Sequence, residues 1–219
     1  MWDGKRKREK LFRLNLDNYE WKEVETKGEA PFPCAWPICL VQGDMMYFSG
    51  GRVSQDECSN QFHSLDLLKN VWKKLASIPF GISGHCGAIY GTKMVLFSGW
   101  MSGHFTNKLF VYHLAYDLWE TLNPTGFIPG ARRGSAFFTI GNSLLVFGGS
   151  GKVRTNELLA IKVSHGDWTV SGHKNFPMFM KQVILTMLLA HRRKTPFNFL
   201  STLPKFILLE IISFSFSLK

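Results

Sequence analysis

Carboxylates and cysteines are both scarce in this chain. Across 219 residues there are 16 Asp and Glu against 26 Lys and Arg, a net charge of +10. A basic surface favours acidic protein segments, nucleic acid or anionic lipid, and by itself does not choose among them. There are four cysteines, Cys34, Cys39, Cys58 and Cys86, with no CxxC pair and no dense spacing. That excludes a disulfide scaffold and the clustered ligands of a structural zinc site. It fits small buried residues in a reducing compartment, so a cytoplasmic location is expected. The seven histidines are scattered, with no carboxylate or cysteine at ligand spacing, so neither metal nor cofactor is expected. The N-terminus lacks an apolar h-region, and no signal peptide is expected. The one N-x-S/T match, Asn123-Pro124-Thr125, is blocked by its proline. Gly148–Lys152 is no phosphate loop, because Val153 stands where Ser or Thr is needed. A G-x-S-x-G nucleophile turn is missing too. With no convergent acid, base or metal set, an enzyme is disfavoured.

What is abundant is a repeat. A composition 45% hydrophobic and 19% charged is globular, and the length supports a sizeable core. NKLFVYHLAYDLWETL at Asn107–Leu122 reads as two short strands and a turn. Ungapped copies occur at Glu9–Val24, Asn60–Leu75 and Asn156–Ser171, each with Trp at the same place. Trp21, Trp72, Trp119 and Trp168 stand 51, 47 and 49 residues apart. The sixth residue of the unit is Leu14, Leu65, Tyr112 or Ile161, and the eighth is Leu16, Leu67, Leu114 or Val163. Fixed apolar sites two apart mean one buried strand face used four times. The recurring indole is expected to pack as a plate against the neighbouring unit.

Between these units an apolar strand recurs that stops at glycine: Met45–Gly51, Met94–Trp100 and Leu144–Ser150. Its Phe48, Phe97 and Phe147 lie 49 and 50 residues apart, followed by Gly50 and Gly51, by Gly99, and by Gly148 and Gly149. Aligned on the phenylalanines, Ser49 and Ser98 take the place of the first glycine. With a turn and one more apolar run before each, a period holds four strands. Four antiparallel strands per ~50 residues describe a β-propeller blade. The set of glycine pair, aromatic or aliphatic sixth position and spaced Trp resembles the kelch repeat, over about three quarters of the chain. The resemblance implies an all-β fold: a half blade at 9–24, then blades at 33–75, 79–122 and 129–171. Three and a half blades do not close the usual ring of four to eight, so a fragment of a longer propeller, a homodimer covering the open edges, or an open stack is expected.

Outside the repeats lie a basic tail, residues 1–8, and a C-terminal segment, 177–219. Lys5-Arg6-Lys7-Arg8 reads as a solvated tail, with nuclear import as the sharper alternative. Met178–Arg193 carries apolar residues at helical spacing. A second helix is expected from Ser201, too short and too interrupted, by Lys205 and Glu210, to span a bilayer. Its stretch at 203–214, with Leu203, Pro204, Ile207, Leu208 and Ile211, resembles the opening helix of an F-box. That resemblance implies docking to the linker protein of a cullin ubiquitin ligase. The plainer alternative is an amphipathic helix covering an open propeller edge.

The expected function is a non-catalytic interaction module. Loops after the glycine pairs and before each first strand gather on propeller rims. They hold Arg52, Trp100, His104, Arg132, Arg133 and Arg154. Arginine suits bidentate capture of carboxylates and Trp is a frequent hot-spot residue. The kelch resemblance implies a protein partner with an acidic segment, in preference to nucleic acid. A substrate adaptor, an actin-type cytoskeletal binder and a propeller-fold enzyme are the alternatives.

Overall fold

The computed structural model describes residues 10–140, 143–164 and 167–172, all in strands, turns and loops. The basic tail and the segment 177–219, with the F-box-like run at 203–214, lie outside the described residues. β1 (Leu11–Leu14) and β2 (Trp21–Val24) form an antiparallel pair. Three larger sheets follow. The first blade is β4 (Ile38–Gln42), β5 (Met45–Ser49), β6 (Phe62–Asp66) and β7 (Val71–Lys74), with the two-residue β3 (Lys27–Gly28) added in parallel beside β7. The second is β8 (Cys86–Tyr90), β9 (Lys93–Met101), β10 (His104–His113) and β11 (Leu118–Leu122). The third is β13 (Ala136–Ile140), β14 (Ser143–Phe147), β15 (Leu158–Ser164) and β16 (Asp167–Gly172), with β12 (Thr125–Gly126) parallel to β16. The first strands β4, β8 and β13 are neighbours in space, so the three sheets radiate from a common inner side as a partial propeller. Two blades therefore hold five strands, not four: the chain arriving from the preceding unit runs briefly alongside the outermost strand.

Period-two alternation builds the core. In blade two, Met94, Leu96, Phe110 and Tyr112 face blade one and pack with Phe62, Ile78 and Ile82. The alternate residues Val95, Phe97, Leu109 and Val111 face blade three and pack with Leu144, Val146, Leu159 and Ile161. Each side chain so buried contributes roughly 1.5–3 kcal/mol. Beside this packing lies a polar latch between blades one and two. Asp117 Oδ1 accepts from the Ala76 N–H at 2.8 Å and from the Tyr112 hydroxyl at 2.6 Å. Trp119 Nε1 donates to the Ala76 carbonyl at 2.8 Å, while its ring lies 5.1 Å from Phe62.

The register corrects the glycine alignment. Ser49 pairs with Ile38 and Phe62, just as Phe97 pairs with Cys86 and Leu109, and Phe147 with Ala136 and Leu158. Ser49 is therefore the equivalent of the phenylalanines, and the pair in blade one is the intact Gly50-Gly51. Only Ser98 replaces a first glycine. All three pairs hold positive φ: 64° and 107° at Gly50 and Gly51, 60° and 124° at Ser98 and Gly99, 66° and 106° at Gly148 and Gly149. Glycine is demanded sterically at Gly51, where an added Cβ would meet Cys34 Sγ at 2.1 Å.

The tryptophans do not share one fate. Trp72 and Trp168 are 7% exposed and Trp119 is half-buried. Trp21 is 67% exposed, contrary to the expected packing, because among the described residues β1 and β2 carry no strands on their far side. In blade three the hairpin is tighter. Val163 pairs with Trp168 and Ile161 with Val170, whereas Leu65 pairs with Trp72 and Tyr112 with Trp119.

Candidate functional site

The site grows from the turns that lead into the inner strands. Trp36, Gly84 and Gly134 each stand two residues before β4, β8 and β13, and all three hold positive φ (55°, 59° and 66°). The Gly84 N–H donates to the Trp36 carbonyl at 2.9 Å, and the Gly134 N–H to the Gly84 carbonyl at 2.7 Å. A main-chain arc thus ties the three blades together beside the inner strands. On this arc, blade one carries an indole where the other two carry glycine. A bulky residue in the left-handed region costs about 1–2 kcal/mol, and such strain concentrates at functional sites.

Trp36 is 50% exposed and belongs to a circuit of rings and cations. The Arg52 guanidinium lies 5.7 Å from the Trp36 ring and 4.8 Å from that of Trp100. The Arg133 guanidinium lies 5.7 Å from Trp36 and 5.8 Å from Phe105. Trp100 and Phe105 are paired across the long β9–β10 hairpin, which closes the circuit. The two cations differ in what remains free. Arg52 Nε donates to the Ser54 carbonyl at 3.0 Å and its Nη2 to the Gln55 carbonyl, so it is tied to its own loop. The Arg133 guanidinium makes no hydrogen bond and no ion pair among the described residues, and its contacts are with rings. It lines a cleft of about 620 Å³ together with Trp36, Gly134, Ser135, Phe147 and Arg154. No carboxylate among the described residues lines that cleft.

Among the rim candidates, the structure brings together Arg52, Trp100 and Arg133, and sets the exposed Arg154 on the same cleft. His104 is exposed at the tip of the β9–β10 hairpin, outside the cleft lining. Arg132 is a correction. It is 3% exposed, its Nε donates to the Gly130 carbonyl at 2.8 Å, its Nη1 to Gly148 at 3.2 Å, and its Nη2 pairs with Glu157. The repeat explains why. Its equivalents two residues before the arc are Cys34 and Ile82, both 1% exposed, so this position points inward in all three blades; at the next position Ala35 and Arg133 are half-buried and Ser83 is buried. Trp36 and Phe105 escaped the sequence reading. The signal for Trp36 was present: a Trp at the place held by Gly84 and Gly134.

Buried histidine lies close by without a site of its own. His85 follows Gly84, its Nε2 sits 2.7 Å from the Ser49 hydroxyl, and its Nδ1 has no partner among the described residues. Burial drives its pKa down to about 3, so the ring is neutral. Burial likewise pushes the neighbouring Cys86 thiol up to about 12, far from a reactive thiolate. Among the described residues no group of three His, Cys, Asp or Glu is placed to hold a metal.

These turns, glycine pairs and radiating sheets have counterparts in known proteins. A family model described as the KLHDC2/KLHL20/DRC7 Kelch-repeats domain matches residues 1–187. The chain belongs to the kelch-repeat family. Kelch domain-containing protein 2 of Bos taurus is 25% identical over 193 residues, covering 74% of this chain and 47% of that protein. Kelch domain-containing protein 3 of Homo sapiens is 25% identical over 166 residues, covering 68% and 44%. Tip elongation aberrant protein 1 of Schizosaccharomyces pombe is 29% identical over 151 residues, covering 64% and 13%. The chain thus spans less than half the length of these three relatives. Kelch repeats generally serve as non-catalytic interaction folds, and this kinship suggests a protein-interaction module. No helix among the described residues is long and apolar enough to cross a membrane.

Proposed function

We propose that this kelch module docks an acidic segment of a protein partner in the cleft beside Trp36. The observation that carries the reading is Arg133: a half-buried guanidinium held by two aromatic rings, with neither an acceptor nor a cleft-lining carboxylate beside it among the described residues. Ring stacking fixes the plane of the fork and leaves its N–H donors for a ligand carboxylate. Arg154 adds a second cation on the same wall. The test is fluorescence anisotropy with acetylated, amidated peptides whose only charges are Glu or Asp side chains. Arg133→Glu is expected to weaken binding by about tenfold or more, and Arg154→Glu by less, with both effects shrinking at high salt. Unchanged affinity in Arg133→Glu would count against the reading.

The sharper form is a substrate adaptor for a cullin-type ligase, acting in the cytoplasm or nucleus. It is supported by the sequence run Leu203–Phe214 and by the kelch kinship. Affinity capture with the full chain and with a variant carrying Leu208→Glu and Ile211→Glu, read by mass spectrometry, tests it. Loss of the ligase linker with retention of the acidic partner is the expected result. Actin co-sedimentation of the same variants tests the cytoskeletal alternative.

A further inference from the structure

We infer that Trp36 is a ligand-reading residue, which makes the segment recognised here one that carries an aromatic side chain two residues from its carboxylate. This rests on the reading of Arg133 as the carboxylate site and deepens it. Three observations point the same way. The repeat supplies its own control: blades two and three perform the turn and the arc with glycine, so the fold does not require an indole there. Side-chain-bearing residues are disfavoured at φ 55°, so the indole is held against a backbone penalty, and half its surface is left in solvent. Finally, the indole lies beside a cation with no acceptor among the described residues, the Arg133 guanidinium carbon standing 5.7 Å from the ring centroid.

Those positions set the spacing of the ligand. In an extended peptide, side chains on one face recur every second residue, roughly 6.6 Å apart. A carboxylate on Arg133 therefore places the side chain two residues away over Trp36, where an aromatic ring stacks offset on the indole. The glycines at 84, 134 and 149 in the same lining carry no side chain to obstruct the ligand's main chain.

The experiment compares two acetylated and amidated peptides by anisotropy. One is Gly-Phe-Gly-Glu-Gly-Phe-Gly, the other has glycine at both Phe positions. The wild-type chain is expected to prefer the Phe peptide by about tenfold. Trp36→Gly restores the repeat's own residue. It is expected to bind the two peptides equally, with a melting temperature within about 5 °C of wild type, because relief of the left-handed strain offsets the lost stacking. A preference that survives Trp36→Gly, or no preference in the wild type, overturns the inference. So does a melting temperature further below wild type, which assigns Trp36 to the fold. The Arg133 reading fails separately, if Arg133→Glu binds both peptides as wild type does.

Discussion

Arg132 and Arg133 are adjacent and identical in chemistry, yet one is buried and bonded within the fold while the other is half-buried and lines the cleft. Replacing Arg132 by isoleucine, the residue its blade-two equivalent Ile82 carries, separates the two roles. The substitution removes donors to Gly130 and Gly148 and the partner of Glu157. Breaking a buried ion pair from one side costs about 3–5 kcal/mol. Here the loss lies at the lower end. The Glu157 side chain is 42% exposed, so water recovers part of its solvation, and the Gly148 carbonyl still accepts from the Ser135 hydroxyl at 3.0 Å. We therefore expect a loss of about 3 kcal/mol, and a melting temperature about 6–12 °C lower for a chain of this size. Urea unfolding followed by tryptophan fluorescence measures it. The double variant Arg132→Ile with Glu157→Gln should regain part of the loss, since no unpaired charge remains. Affinity for the acidic peptide should stay at the wild-type value, the reverse of Arg133→Glu. An Arg132→Ile chain as stable as wild type, or one that folds normally and loses the peptide, would refute the assignment.

Two more outcomes follow from buried groups. His85 has its folded pKa lowered to about 3, and His63 is lowered too, chiefly by burial. The unfolded chain takes up these protons first, so stability is fully present above pH 6.5 and falls as the pH drops towards 3. Urea midpoints measured from pH 7 to pH 4 should decline, and the decline should be shallower in His85→Asn. Tyr112→Phe removes the hydroxyl that, within blade two, donates to Asp117 and holds it for its bond to Ala76 of blade one. It should cost about 1–2 kcal/mol in the same urea assay, with no change in peptide affinity.

Much of this architecture was legible from the chain alone, for definite reasons. Of the apolar pairs two residues apart, only the sixth position serves a pleated, buried face in all three blades; at the eighth, Leu16 and Leu67 are exposed, contrary to the expected buried face. Leu65, Tyr112 and Ile161 do sit in equivalent, fully buried places. What was illegible was register. Phe48 resembles Phe97 and Phe147, yet the ladder pairs Ser49 in their place, and a one-residue slide leaves no compositional trace. The division between Arg132 and Arg133 needed the same ladder, through Cys34 and Ile82. Trp36 was readable only once the turns could be superposed, since its meaning lies in the glycines it replaces. The circuit of Arg52, Trp100, Phe105 and Arg133 spans three blades, and no local window of sequence contains it.

The tightened hairpin of blade three has a consequence for how such a chain can change. Its connection is two residues shorter than those at Trp72 and Trp119, and the indole has moved along the strand by one full pleat. It is still hidden. Parity is what matters: the unit keeps its length, and because the outer strand has slid against its partner by two residues the same side chains stay buried, while a slide of one would turn the strand inside out. The perimeter can therefore shift by whole pleats without disturbing the seam beneath.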